Sequence, residues 1–168
     1  MRHHKGVTLV ELLGAIVIFS IASSIVALTV SFIINANKEI IENGQANATG
    51  TLIIRHIENK VSDLYITDYD YLSDQEFTLY SDFEYVYNNE LGDIELINHD
   101  PRLELNILID NQQLFINNES INLTGFTIHE TSSIQMIEGT TSTQFIITIV
   151  LASEKNIYTF KTNLEVFI

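Results

Sequence analysis

The residues with most chemical potential stand together near the start of the chain, Lys5-Gly6-Val7-Thr8-Leu9-Val10-Glu11, and apolar sequence follows them to Ile34. From Val7 to Ile34 there are 28 residues and a single charge, Glu11. A carboxylate inside an apolar segment of membrane length is expensive, and that cost marks it as functional. At a helix start it would meet unpaired N–H groups and the positive end of the dipole, both of which favour an anion. The plain alternative is an interfacial Glu that reaches back to the headgroups.

The rest of the chain assembles no other chemistry. The five His residues are scattered as His3, His4, His56, His99 and His129, and none has metal-ligand spacing. His99-Asp100 before Pro101 reads as a turn, and His129-Glu130 reads as an exposed strand end. Asp68, Asp70, Asp74 and Glu76 suggest a cation loop, but Ser73 and Leu79 stand where a calcium loop needs Gly and Glu. With no Cys there is no thiol chemistry, disulfide or Cys-based zinc site. No nucleophile motif or phosphate-cradling Gly loop is present, so no set of catalytic roles can be assembled. The expectation is a non-enzyme without metal or cofactor.

The elements that must hold Glu11 follow from hydropathy. Residues 1–6, Met-Arg-His-His-Lys-Gly, form a short basic leader, and positive charge there predicts an N-terminus on the inner side. Residues 7–34 give roughly 42 Å of helix at ~1.5 Å per residue, against about 30 Å of hydrocarbon. The segment contains one Gly and no Pro, and its small residues (Ala15, Ser20, Ala22, Ser23, Ser24, Ala27) allow other helices to approach closely. Residues 35–62 continue as an amphipathic helix, with Ile40, Ile41, Ala48, Leu52, Ile53, Ile57 and Val61 recurring at helical spacing. Gly44 and Gly50 each cost about 1 kcal/mol against Ala, so a break there is the main risk to one helix of about 55 residues.

Residues 63–74 read as a linker, and from Glu76 the period changes to two. Candidate strands are Phe77–Tyr80, Glu84–Tyr87, Ile94–Ile97, Leu103–Ile109, Gln113–Ile116, Ile121–Leu123, Phe126–His129, Ile134–Ile137, Thr143–Leu151 and Asn156–Phe167. Leu103, Leu105, Ile107 and Ile109 alternate with polar residues, as do Tyr158, Phe160, Leu164, Val166 and Ile168. Such alternation with short links predicts antiparallel sheet with one wet face, packed on the amphipathic half of the helix. The fold class is α+β: a membrane helix (7–34), its amphipathic continuation (35–62) and an extracytoplasmic β domain (63–168).

Charge restricts the partners. The formal net charge is −14, and from Asp63 onward 18 acids face three bases, Arg102, Lys155 and Lys161. Such a surface repels phosphates and anionic lipid, so no direct nucleic-acid binding is expected.

The run Lys5-Gly6-Val7-Thr8-Leu9-Val10-Glu11, in register with the apolar helix, resembles the start of type IV pilins and pseudopilins. The resemblance covers roughly the first 35 residues in detail. It implies that a membrane prepilin peptidase cuts between Gly6 and Val7 and methylates Val7 as the new N-terminus. Glu11 then matches the family's acid that guides insertion into a growing filament, paired with its own Val7 amine or a neighbour's. Where the family usually has Phe, this chain has Val7. It also lacks the paired Cys and the helix-interrupting Pro of many major pilins. The implied partners are the peptidase, other pilins or pseudopilins, an inner-membrane assembly platform and lipid. The implied role is a minor pilin or pseudopilin, of the competence (DNA-uptake) type. Alternatives are a type II secretion pseudopilin, an adhesin-like tip subunit, or a non-polymerising anchored domain.

Overall fold

In the computed structural model, which describes residues 8–90 and 92–167, one helix dominates the first third of the chain. Helix α1 runs unbroken from Leu9 to Ser62, 54 residues, through both Gly44 and Gly50. The leader, Gly6, Val7 and Ile168 lie outside the described residues. The chain divides into two compact units between Gly44 and Gln45.

In the first unit the apolar side chains of α1 face outward. Leu9, Phe19, Leu28 and Phe32 are all more than seven-tenths exposed. Among the described residues α1 is the one helix long and apolar enough to cross a bilayer. Three of its hydroxyls are satisfied within the helix. Ser20, Ser24 and Thr29 each donate to the carbonyl four residues back, at 2.8, 2.9 and 2.9 Å. Back-bonds of this kind are what an apolar surrounding would require of a hydroxyl.

In the second unit, α1 from Gln45 onward packs on two antiparallel sheets. The first sheet contains β1 (Leu64–Tyr65), β2 (Asp68–Ser73), β3 (Glu76–Asn88), β4 (Asp93–Asp110), β5 (Gln113–Ile116) and β6 (Glu119–Ser120). Both β1 and β2 pair with β3, and the order then runs β3-β4-β5-β6. The second sheet contains β7 (Thr127–Ile128), β8 (Ser133–Glu138), β9 (Thr143–Ala152) and β10 (Ile157–Val166). There β9 is central, with β10 on one side and both β7 and β8 on the other.

The inner faces share one core. Phe77, Leu79, Leu105, Ile107 and Ile109 of the first sheet join Phe145, Ile147, Ile149, Leu164 and Val166 of the second, with Ile53 and Ile57 of α1 between them. Phe77 stacks on Phe145 at 4.8 Å, and Tyr69 meets Phe145 edge-on at 5.3 Å. The sheets are also tied by backbone bonds: Ile134 N–H donates to the Asp74 carbonyl (2.7 Å) and Ile128 N–H to that of Gln112 (2.9 Å). Where β7 stops and β8 has not begun, buried Ser132 takes their place. Its hydroxyl donates to the Val150 carbonyl (3.3 Å) and accepts from the Val150 N–H (2.9 Å).

The α+β architecture expected from the sequence is the one observed, with four differences in detail. The supposed linker 63–74 contains β1 and β2. The first four expected strands are two long ones, because β3 and β4 pair across most of their length with one register shift between Ser81 and Phe83. The Ser81 hydroxyl shares its one proton between the Tyr65 and Phe83 carbonyls, accepts from the Phe83 N–H at 3.1 Å, and so holds the chain through that shift. His99-Asp100, read as a turn, lies inside β4, which contains a cis Asp100-Pro101 bond. Ile121–Leu123 is not a strand; β6 pairs earlier, at Glu119 and Ser120, because Asn117 and Asn118 take positive φ (51° and 65°) and close the hairpin in two residues.

The helix stripe that meets the sheets also differs. Ile53 and Ile57 are buried as expected, but they are joined by Ala46 and Gly50, while Ile40, Ile41, Ala48 and Leu52 are exposed. Packing explains the choice. A Cβ added at Gly50 would lie 2.3 Å from the Phe160 ring, so only Gly lets β10 come this close.

Candidate functional site

The expected site residue within the described chain, Glu11, sits in the first turn of α1. Thr8 immediately precedes the helix and caps it. The Thr8 backbone N–H donates to Glu11 Oε2 at 2.9 Å, and the Thr8 hydroxyl donates to the same oxygen at 3.0 Å. In return Glu11 N–H donates to Thr8 Oγ1 at 3.3 Å. The first intrahelical bond, Leu12 N–H to the Thr8 carbonyl, measures 3.1 Å. This is a reciprocal capping box of the Thr-x-x-Glu kind.

The arrangement has two consequences. It satisfies two of the donors that every helix start leaves open, which matters most where no water is present. It also fixes the carboxylate, since both bonds to Glu11 fall on Oε2. A carboxylate has about four acceptor positions. Glu11 thus retains capacity for a further donor, such as an amine.

Sequence reasoning singled out Glu11 and overlooked Thr8 as its partner. The signal was present: Thr three residues before Glu at the head of an apolar run is a helix-start signature. Gly6 and Val7, expected as cleavage and methylation positions, lie outside the described residues.

The four acids that suggested a cation loop, Asp68, Asp70, Asp74 and Glu76, are engaged with their own chain. Asp70 accepts from the Tyr80 hydroxyl (2.9 Å), and Asp74 accepts from the Tyr71 hydroxyl (2.6 Å). The hydrogen bond to Asp74, with partial burial and the Asp74 charge, raises Tyr71 from 10.0 to about 12, and the bond to Asp70 leads a rise at Tyr80. Arg102 stands 3.5 Å from Asp68 and 3.7 Å above the Tyr80 ring. Among the described residues no group of three His, Asp or Glu is placed to hold a metal. His129 Nδ1 lies 2.8 Å from the Thr131 hydroxyl just past β7, at the expected strand end.

Comparison with known proteins adds one match. Residues 1–27 match the family described as the prokaryotic N-terminal methylation motif. No curated protein and no solved structure matches the chain. The motif points to a structural subunit rather than an enzyme. With the apolar helix and the capped acid in register behind it, the chain carries the prepilin-type signal segment of pilin-like proteins.

Proposed function

We propose that this chain is a minor subunit of a type IV pilus-like filament. The observation that carries the reading is the coincidence of the methylation motif at residues 1–27, the capped Glu11 and the outward-facing apolar helix behind it. Prepilin peptidase cuts between Gly6 and Val7 and methylates Val7. The helix holds the subunit in the inner membrane, N-terminus inside, until the assembly platform withdraws it. Other pilins or pseudopilins then cover its apolar surface, and the β domain stands outside the membrane. An unpaired carboxylate costs several kcal/mol in apolar surroundings. A Val7 amine reaching Glu11, from the same subunit or a neighbour, lowers that cost and selects one axial register.

The competence type of filament is favoured over type II secretion by the absence of Cys and the Ile- and Asn-rich composition. Mass spectrometry of the mature protein is the first test. Loss of residues 1–6 with one methyl on Val7 is expected, and an intact leader in cells with active peptidase refutes the reading. The second is Glu11→Ala, which should leave cleavage intact and remove the subunit from sheared filaments.

A further inference from the structure

The outer half of the β3–β4 hairpin stands apart from the core it grows from. Register fixes its faces, since directly opposed antiparallel residues point the same way. Tyr65 opposes Phe83, Phe83 also opposes Asn98, Tyr85 opposes Leu96, and Tyr87 opposes Ile94. Apart from Asn98, these residues make one apolar face. It is open: Tyr65 is 45% exposed, Tyr85 44%, Tyr87 60%, Ile94 63% and Leu96 51%. Tyr65 meets Phe83 and Tyr85 edge-on at 5.9 and 6.1 Å, so the aromatic end is preorganised. The other face carries Glu84, Glu95 and Asp93 with Val86 and Ile97.

One edge of this ribbon is also open. Among the described residues, β4 from Asp93 to Asn98 pairs only with β3; residues 99–102, which include the cis Pro101, lie outside that register, pairing to β3 resumes at Leu103, and pairing to β5 begins at Ile107. An edge of this length is a template for strand addition.

We infer that the outer β4 edge and the adjoining apolar face dock a different polypeptide, one that adds a strand alternating apolar and basic residues. The alternation follows from β4 itself. An added strand places apolar side chains beside Ile94 and Leu96 on one face and Lys or Arg beside Asp93 and Glu95 on the other. Charge excludes other occupants. Between residues 82 and 101 there are six acids (Asp82, Glu84, Glu90, Asp93, Glu95, Asp100) and no Lys or Arg. Two copies placed edge to edge would set these acids against each other. Nucleic acid and anionic bilayers meet the same repulsion. The apolar face alone spans roughly 20 by 10 Å, well below the ~800 Å² per partner of a standard stable interface. Backbone pairing along the edge and the charge match are therefore both needed. The inference goes beyond the filament reading and does not depend on it.

The test is site-specific photocrosslinking of the full-length chain in its own cells. A photoreactive residue replaces Tyr87 or Leu96, with Ile137, exposed on β8, as the control position. The expected result is an adduct from Tyr87 and Leu96, absent from Ile137. It joins a different protein through a peptide of alternating apolar and Lys or Arg residues. It should fall at least tenfold when Asp93→Lys and Glu95→Lys are introduced together. If that variant does not accumulate, Asp93→Asn with Glu95→Gln takes its place and should still weaken the adduct severalfold. An adduct with a second copy or with lipid overturns the inference. So does a peptide without the basic alternation, an adduct that ignores the charge changes, or no adduct at all.

Discussion

The two stretches of α1 on either side of Gly44 make opposite use of one secondary structure. Before it, the helix carries its largest apolar side chains and exposes nearly all of them. After it, the helix buries a narrow stripe built largely from small residues, Ala46 and Gly50, with Ile53 and Ile57 below them. Hydrophobicity alone would rank the two the other way for burial. On the proposed reading the first stretch is apolar to suit a surrounding medium or partner helices, whereas the second is shaped to fit the sheets it packs on. The first demands only composition and length. The second demands specific volumes.

The largest effect on that contrast should come from Ile57, which is fully buried. Ile57→Ala removes its methyl groups from a core that cannot collapse fully, at a cost of about 2–5 kcal/mol. Thermal unfolding of the detergent-solubilised chain should shift down by many degrees, while Leu28→Ala, on the exposed stretch, should leave the midpoint unchanged. Equal shifts would erase the distinction. Next in size is Gly50→Ala. The added methyl meets the Phe160 ring, and overpacking of this kind costs about 1–3 kcal/mol, only partly offset by the ~1 kcal/mol gained in helix propensity. Gly44 has no atom within 4 Å of the same added group, so Gly44→Ala should stabilise by about 1 kcal/mol. Opposite signs at two glycines six residues apart would sharpen the comparison, and like signs would break it.

At the helix start, Thr8→Val removes the hydroxyl from the capping box while keeping the side-chain shape. Loss of such a cap costs about 0.5–2 kcal/mol. The expected readout is faster amide exchange confined to the first turn, with the β-domain unfolding midpoint unmoved.

The smallest effect concerns pH. The Tyr71 hydroxyl shares its one proton between Asp74 and the Ile134 carbonyl, 2.9 Å away, and so links β2 to β8. Its pKa is raised in the fold, so the native state holds the proton more tightly than the unfolded chain. The contribution is therefore complete below pH 10 and is lost as pH rises through about 12. Melting midpoints should fall across that window, less steeply in Tyr71→Phe. A parallel decline in the variant would remove Tyr71 from the account, leaving Tyr80, which shifts the same way.

Legibility varied with how local the signal was. The apolar run, the helical period behind it and the alternating strands after Thr143 follow from spacing alone, and the structure reproduces them; spacing left open whether the helix breaks between Gly44 and Gly50, and it does not. In the turns, Asn111, Asn117 and Asn118 take positive φ, a conformation Asn tolerates. The strands at 64–73 were not, because Asp and Tyr there alternate without apolar contrast. Their pairing to β3 is what makes them strands. The candidate site was half legible: Glu11 stands out as a lone charge, whereas Thr8 is unremarkable until its hydroxyl and N–H are seen on the same carboxylate oxygen.

The sequence by itself determined the membrane-length helix, its single acid, the methylation motif and the change from helical to strand periodicity. These are properties of short windows, set by hydrophobicity, charge and backbone preference. Only the tertiary structure decided which face of the helix is buried and which Gly is a packing position. It also decided that β3 and β4 outrun the core to leave an open apolar ribbon. Those outcomes depend on which volumes meet across the sheet, and a residue's neighbours in space are not written in its neighbours along the chain.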